Sequence, residues 1–260
     1  MTDTPMTITP ASDGSDTSVN KPTVVVDNLH VKFRIFTSGK AATKNATRGR
    51  GLGRSTREVH ALKGVSFVAH EGESIGVVGH NGSGKSTLMR SIAGLIPPAE
   101  GAVYASSRPS LLGVNAALMS ELSGEKNVQL GTLALGMSPA DARAQYDNIV
   151  EFSGLSEFMD LPMRAYSSGM SARLRFAIAI SKTHQILMVD EALAVGDKDF
   201  RQRSEQRIRE LRAQAGTVFL VSHSMKSIQD TCNRVIWLDH GTLLMDGTPD
   251  EVIPAYQASK

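Results

Sequence analysis

Eight consecutive residues, Gly79-His80-Asn81-Gly82-Ser83-Gly84-Lys85-Ser86, constrain this chain more than any others. They fit the spacing GxxxxGK[ST]. An apolar, β-branched run at 74–78 precedes them, and a segment free of Gly and Pro that reads as a helix from about Lys85 follows. A strand that turns through glycines directly into a helix leaves backbone N–H groups pointing inward at the positive end of the helix dipole. Such a loop is built for phosphate oxygens. Gly79, Asn81, Gly82, Ser83 and Gly84 form the cradle and Lys85 reaches the β- and γ-phosphates. Ser86 is the expected Mg²⁺ ligand, and Thr87 supports the α- and β-phosphates. His80 occupies a variable position and is assigned no chemistry.

Two later apolar runs end on polar residues in the same manner. Residues 186–189 lead into Asp190 and Glu191, 105 positions after Lys85. A buried strand that delivers a carboxylate to its C-terminal edge is a means of holding Mg²⁺ beside such a loop. Asp190 is expected to bind the metal and Glu191 to polarise the attacking water. Residues 218–221 lead into Ser222 and His223, and the strand-end position makes His223 the expected γ-phosphate sensor.

Around these motifs the chain of 260 residues changes character three times. Residues 1–21 are rich in Thr, Ser, Asp and Pro and are expected to be a disordered tail. A first strand opens at Val24-Val25-Val26 and runs to about Phe36. A loop over 38–57, full of Gly, Lys, Arg and Thr, separates it from a second strand near 65–68. Glu71-Gly72-Glu73 is a turn. Gly94 and Pro97-Pro98 end the helix after the cradle. Residues 126–183 read mainly as helices, one starting at Ser138-Pro139 and closing at Ser153-Gly154. Strands return at 186–189, 218–221 and 235–238, with Gly241 and Gly247 marking the last turns.

The net charge of +2 conceals an uneven distribution: the first twenty residues carry −3 and residues 32–63 carry +8. The basic loop reads either as a solvated loop or as a contact for an anionic membrane surface, and its lack of interleaved aromatics argues against single-stranded nucleic acid. The one cysteine, Cys232, rules out a disulfide framework and reads as a small core hydrophobe. No apolar run approaches the ~18 residues that span a bilayer, and no basic segment followed by an apolar stretch opens the chain. A cytosolic protein is expected, with any membrane role exerted through a partner or a surface.

Tyr166-Ser167-Ser168-Gly169-Met170-Ser171-Ala172-Arg173-Leu174 lies before a helix and before the acid-ended strand. It resembles the signature motif of ATP-binding-cassette (ABC) ATPases, with Ser-Ser-Gly for Ser-Gly-Gly and Met for Gln. The cradle, signature, Asp190-Glu191, Asp197 and His223 follow that family's order over 24–250. The variant signature, the run from Glu191 to Asp197, the 120–127 stretch and Trp237-Leu238-Asp239 resemble the ATPase subunits of bacterial polysaccharide exporters (O-antigen, teichoic acid, galactan). The chain ends at Lys260 and resembles the shorter members, which lack a carbohydrate-binding domain.

The resemblance implies an α/β fold over 22–260: a RecA-like core, an antiparallel β subdomain and a helical subdomain at about 114–183. It implies ATP and Mg²⁺, and a homodimer in a 2+2 complex with a membrane permease on the cytoplasmic face. The implied cargo is a lipid-linked polysaccharide, and no nucleic acid is involved. Ser167 and Gly169 would contact the γ-phosphate held by the other protomer, and Asp197 would connect the two sites. The adenine-stacking aromatic would be Phe33 by position, with Phe36 and His60 as rivals. No Gln stands at the family's usual place before the signature, where Asn115 is the nearest polar residue. An exporter ATPase for a lipid or drug, or a soluble non-transport ABC ATPase, are the alternative readings.

Overall fold

The computed structural model describes residues 21–37, 55–112, 118–190, 197–222 and 224–259. The expected disordered tail, up to residue 20, lies outside the described residues, as does the basic loop over 38–54. Strand β1 (Pro22–Thr37) pairs antiparallel with β2 (Ser55–His70), and Thr37 lies opposite Ser55. The second strand therefore starts ten residues before the expected apolar core at Val65 and takes in the last three positions of the expected basic loop. β2 is the edge of a three-stranded sheet in the order β2-β1-β4, where β4 is Glu100–Ala105. An edge strand faces solvent on one side, so it tolerates charged residues such as Arg57, Glu58 and Lys63.

The larger sheet has six strands in the order β5-β6-β7-β3-β8-β9. Here β3 is Ser74–Val78, β5 Ser110–Leu111, β6 Ile186–Asp190, β7 Thr217–Val221, β8 Arg234–Asp239 and β9 Thr242–Gly247. Its first five members run parallel and β9 closes the edge antiparallel. Strand alternation feeds two cores at once. Ile75, Val77, Ile186, Met188, Phe219, Val221, Ile236 and Leu238 face the small sheet and helix α1 (Lys85–Ile92). Val78, Leu187, Val189, Val218, Leu220 and Val235 face the opposite way. That second core also takes Phe200 and Leu211 of α5 (Lys198–Gln214), Ile228 of α6 (Met225–Thr231) and Val252, Ile253 and Tyr256 of α7 (Pro249–Ala258). Cys232 is buried in it, and burial pushes its thiol pKa up.

Helices α2 (Gly124–Ala134), α3 (Pro139–Ser153) and α4 (Ser168–Ala179) carry a third core of Val128, Ile149, Leu155, Met159, Met163, Tyr166, Leu174 and Ile178. The start of α3 at Ser138-Pro139 was legible in the sequence; the Ser123 and Ser167 caps were not singled out. Ser123, Ser138 and Ser167 each accept a hydrogen bond from a backbone N–H of the first turn, and Gly154 ends α3 at φ 64°. Asn127 is fully buried within this helical unit. Its Nδ2 lies 2.9, 3.0 and 3.0 Å from the carbonyls of Met119, Leu122 and Ser123, and its Oδ1 accepts from Met119 N at 2.7 Å. This side chain fixes the segment that leads into α2. Arg234 ties the two sheets together: Nη1 donates to Val68 O at 2.7 Å and to Glu73, while Nε and Nη2 grip both oxygens of Asp246 at 2.7 Å.

Candidate nucleotide-binding site

The cradle forms where β3 ends, in the middle of the parallel sheet. Gly79 has φ 148° and Gly84 has φ 108°, conformations closed to ordinary side chains. A Cβ on Gly79 would collide with the Leu238 carbonyl and stand 2.6 Å from Ser83 Oγ; one on Gly84 would stand 2.8 Å from Leu62 Cδ2 and 3.0 Å from Ala61 O. The loop is thus pressed between β8 and β2. The β8–β9 hairpin holds it there. Its two-residue turn, His240-Gly241, has φ 44° and 85°, the positive pair that a tight hairpin of this kind requires. Gly241 N donates to Ser83 O at 2.9 Å, and Lys63 N of β2 donates to Gly241 O at 2.8 Å.

Helix α1 begins at Lys85 with no side-chain cap and no acidic residue in its first turn, so its leading N–H groups face the loop's concavity. Lys85 Nζ lies across the loop, donating to Gly79 O at 2.7 Å and to His80 O at 2.9 Å. A cavity of about 440 Å³ opens over these groups, lined by Asn81, Gly82, Gly84, Lys85, Ser86 and Thr87 together with Val59, His60, Ala61, Lys63, Val221 and His240. The lining residues include two lysines and no carboxylate, and the volume lies within the ordinary range for small-ligand sites. The donors, the dipole and the glycine-shaped hollow together fit a triphosphate.

The aromatic candidates separate. His60 lines the cavity, whereas Phe33 is 38% exposed and is not among the lining residues. Phe33 lies opposite Val59, a lining residue, across the β1–β2 pair, while β2 itself abuts the cradle through Ala61 and Leu62. The side chain of Phe36 lies outside the description. Val59, Lys63 and His240 were not foreseen as lining residues. Only the His-Gly turn between two strands carried a hint of the last.

Asp190 ends β6 opposite Val221, a cavity-lining residue, so the strand delivers its terminal residue to the cradle's side of the sheet. Its side chain is not among those described. Glu191, His223 and Asn115 lie outside the described residues. Among the described residues no cluster of three His, Cys, Asp or Glu could hold a metal by itself. The chemistry of Mg²⁺ accords with that, since it takes one or two protein oxygens plus phosphates and waters.

Ser167 and Gly169 are not among the residues lining the cavity of their own chain. Ser167 is the exposed N-cap of α4, its Oγ accepting from Met170 N at 3.1 Å. Asp197 likewise lies away from the cavity. It caps α5, accepting from Phe200 N at 2.9 Å, and sits 3.4 Å from Arg173 of α4. The backbone hydrogen bond first, and the guanidinium second, hold its carboxyl below the usual carboxylate range.

A glycine cradle on a bare helix N-terminus, at the C-terminal ends of parallel strands, defines a P-loop nucleotide-binding domain. A family model described as "ABC transporter" matches residues 62–194. The teichoic acids export ATP-binding protein TagH of Staphylococcus epidermidis is 38% identical over 235 residues, covering 90% of this chain and 88% of that protein. TagH of Lactococcus lactis is 36% identical over 240 residues; there the chain spans about half, 52%, of the relative's length. Among solved structures, an ATP-binding subunit of an ABC transporter superposes with a TM-score of 0.66 at 20% identity, covering 90% of this chain and 93% of that one. A dimeric post-hydrolysis cassette, MJ0796 bound to ADP and Pi, does so at 0.63 and 21%, covering 87% and 98%. The chain belongs to the ABC transporter family and is one of its ATPases. Among the described residues, no helix is long and apolar enough to cross a membrane.

Proposed function

We propose that the chain is the ATP-hydrolysing subunit of an exporter that moves a lipid-linked polysaccharide of the teichoic acid, O-antigen or galactan class. Two copies act beneath a membrane permease at the cytoplasmic face. The substrate class is supported by the TagH relatives, one of which aligns along nearly the whole of both chains. In the site, the cradle holds the phosphates, Ser86 and Asp190 hold Mg²⁺, Glu191 assists the attacking water and His223 senses the γ-phosphate. His60, rather than Phe33, lies against the base.

The observation that carries the mechanism is Gly169. It is the second residue of α4, in the first turn after the Ser167 cap. Its φ is not in the left-handed region, and a Cβ there would meet nothing closer than Ser167 Oγ at 3.8 Å. Among the described residues nothing requires a glycine at this place. A second protomer's bound nucleotide, approaching the N-terminus of α4, supplies the reason. ATP then closes a head-to-tail dimer, and hydrolysis reopens it, because only the closed state contacts the γ-phosphate from both sides.

The basic segment at 38–57 is proposed to attract anionic headgroups or the pyrophosphate of the cargo. Replacing Lys40, Lys44, Arg48, Arg50, Arg54 and Arg57 with Ser should lower export while basal ATP hydrolysis persists. Depleting the protein in its host should remove the glycan from the surface and trap its lipid-linked form inside. Unchanged surface glycan would refute export of this cargo.

A further inference from the structure

Beside the cavity, three polar side chains of β1 and β2 form a chain of hydrogen bonds that phosphate binding does not use. Asn28 Oδ1 lies 3.2 Å from His30 Nε2, and His30 Nδ1 lies 3.0 Å from His60 Nε2. The two imidazoles stack with centroids 5.2 Å apart and planes 29° from parallel. Asn28 is held for this purpose. Its φ of 45° marks an irregularity in β1, where the register with β2 shifts between Val26 and Leu29, and its own N–H donates to Ser66 Oγ at 2.8 Å. Gly64 leaves the space that His30 and Asn28 fill, since a Cβ there would stand 3.1 Å from Asn28 Oδ1 and 3.3 Å from His30 Nε2. Glu100, opposite His30 on β4, is engaged elsewhere, accepting from Lys32 Nζ at 2.7 Å.

The direction of this chain follows from its end. An amide oxygen only accepts, so His30 donates through Nε2–H; when its ring carries that one proton, Nδ1 accepts and His60 donates through Nε2–H. We propose that His30 is a positioning residue for the nucleotide base: with Asn28 it fixes the tautomer and ring plane of His60 at the cavity wall before nucleotide arrives. This rests on the reading that the cavity holds a nucleotide with its base against His60. A ring ordered in advance loses less freedom on binding.

The full-length protein is tested with MgATP and, as a probe lacking a base, Mg-tripolyphosphate. His60→Ala should weaken ATP and leave tripolyphosphate unaffected. His30→Phe keeps a stacking ring but no hydrogen bond. Asn28→Gly removes the acceptor at a φ that glycine adopts freely. Both should weaken ATP about 3- to 10-fold, the worth of one hydrogen bond, with tripolyphosphate unchanged. ¹⁵N spectra should show His60 as the Nε2–H tautomer in the wild type and as a mixture in both variants, with Asn28→Asp restoring the wild-type pattern and affinity at mildly alkaline pH. Thermal melts confirm folding, and if His30→Phe does not fold, Asn28→Gly decides alone. If His60→Ala weakens ATP but Asn28→Gly leaves both tautomer and affinity intact, the positioning role is overturned while the site reading stands. If His60→Ala binds ATP normally, the base does not lie there and both fall.

Discussion

Replacing Asn127 with Ala tests how the helical unit is held together, and its cost can be worked from the contacts. Three carbonyls lose a donor but keep another. Met119 O retains Leu122 N at 3.2 Å, Leu122 O retains Met163 N at 3.0 Å, and Ser123 O retains Asn127 N at 2.9 Å. Met119 N is the exception, because the Asn127 side chain is its acceptor. Met119 is 54% exposed, so water partly replaces the lost acceptor and the cost at its N–H is about 1 kcal/mol. The space left at the fully buried Asn127 adds about 1 kcal/mol. The total of about 2 kcal/mol corresponds to a Tm lower by about 4–8 °C for a domain of this size. Calorimetry measures the shift, and hydrogen exchange should show the Met119 amide losing protection before the strands of the main sheet do. A Tm unchanged within error, with Met119 still protected, would refute the assignment of Asn127 as the fastener of this segment.

Lys85→Ala removes the cation over the cradle, so turnover should fall by at least about 10²-fold while the melt stays near wild type; normal turnover would dismiss the cradle. Arg234→Ala strands Glu73 and Asp246, which are 20% and 25% exposed, and should cost about 2–3 kcal/mol in a urea titration. Burial lowers the pKa of His184 from its ordinary 6.5, so the unfolded chain takes up a proton there that the native state refuses. Its contribution to stability is complete above pH 6.5 and is lost as pH falls below that value. The fall in Tm between about pH 7.5 and about pH 5.5 should accordingly be shallower in His184→Gln.

The cradle and the acid-ended strand were legible because each depends on local rules: apolar period-two runs, glycines at fixed offsets and serine caps. What escaped the sequence depends on partners far along the chain. β4 escaped because its residues are mostly exposed and show no clean alternation; only pairing with β1 makes it a strand. β2 was truncated to its apolar end because an edge strand carries charge where a central one could not. His60 was only one of three aromatic candidates in the sequence because counting along a strand cannot reveal which side chains line the hollow beside the loop. The 120–127 stretch was noticed as a family likeness; Asn127's four contacts give it a physical reason.

The central claim, that ATP joins two copies through the cradle of one and Gly169 of the other, is tested by light scattering on two variants with MgATP. Glu191→Gln should hydrolyse slowly and accumulate as an ATP-dependent dimer. Glu191→Gln combined with Gly169→Asp should remain monomeric at the same ATP occupancy, because the carboxylate fits its own chain yet repels the partner's nucleotide. A double variant that still dimerises, or one that loses ATP binding as a monomer, would contradict it.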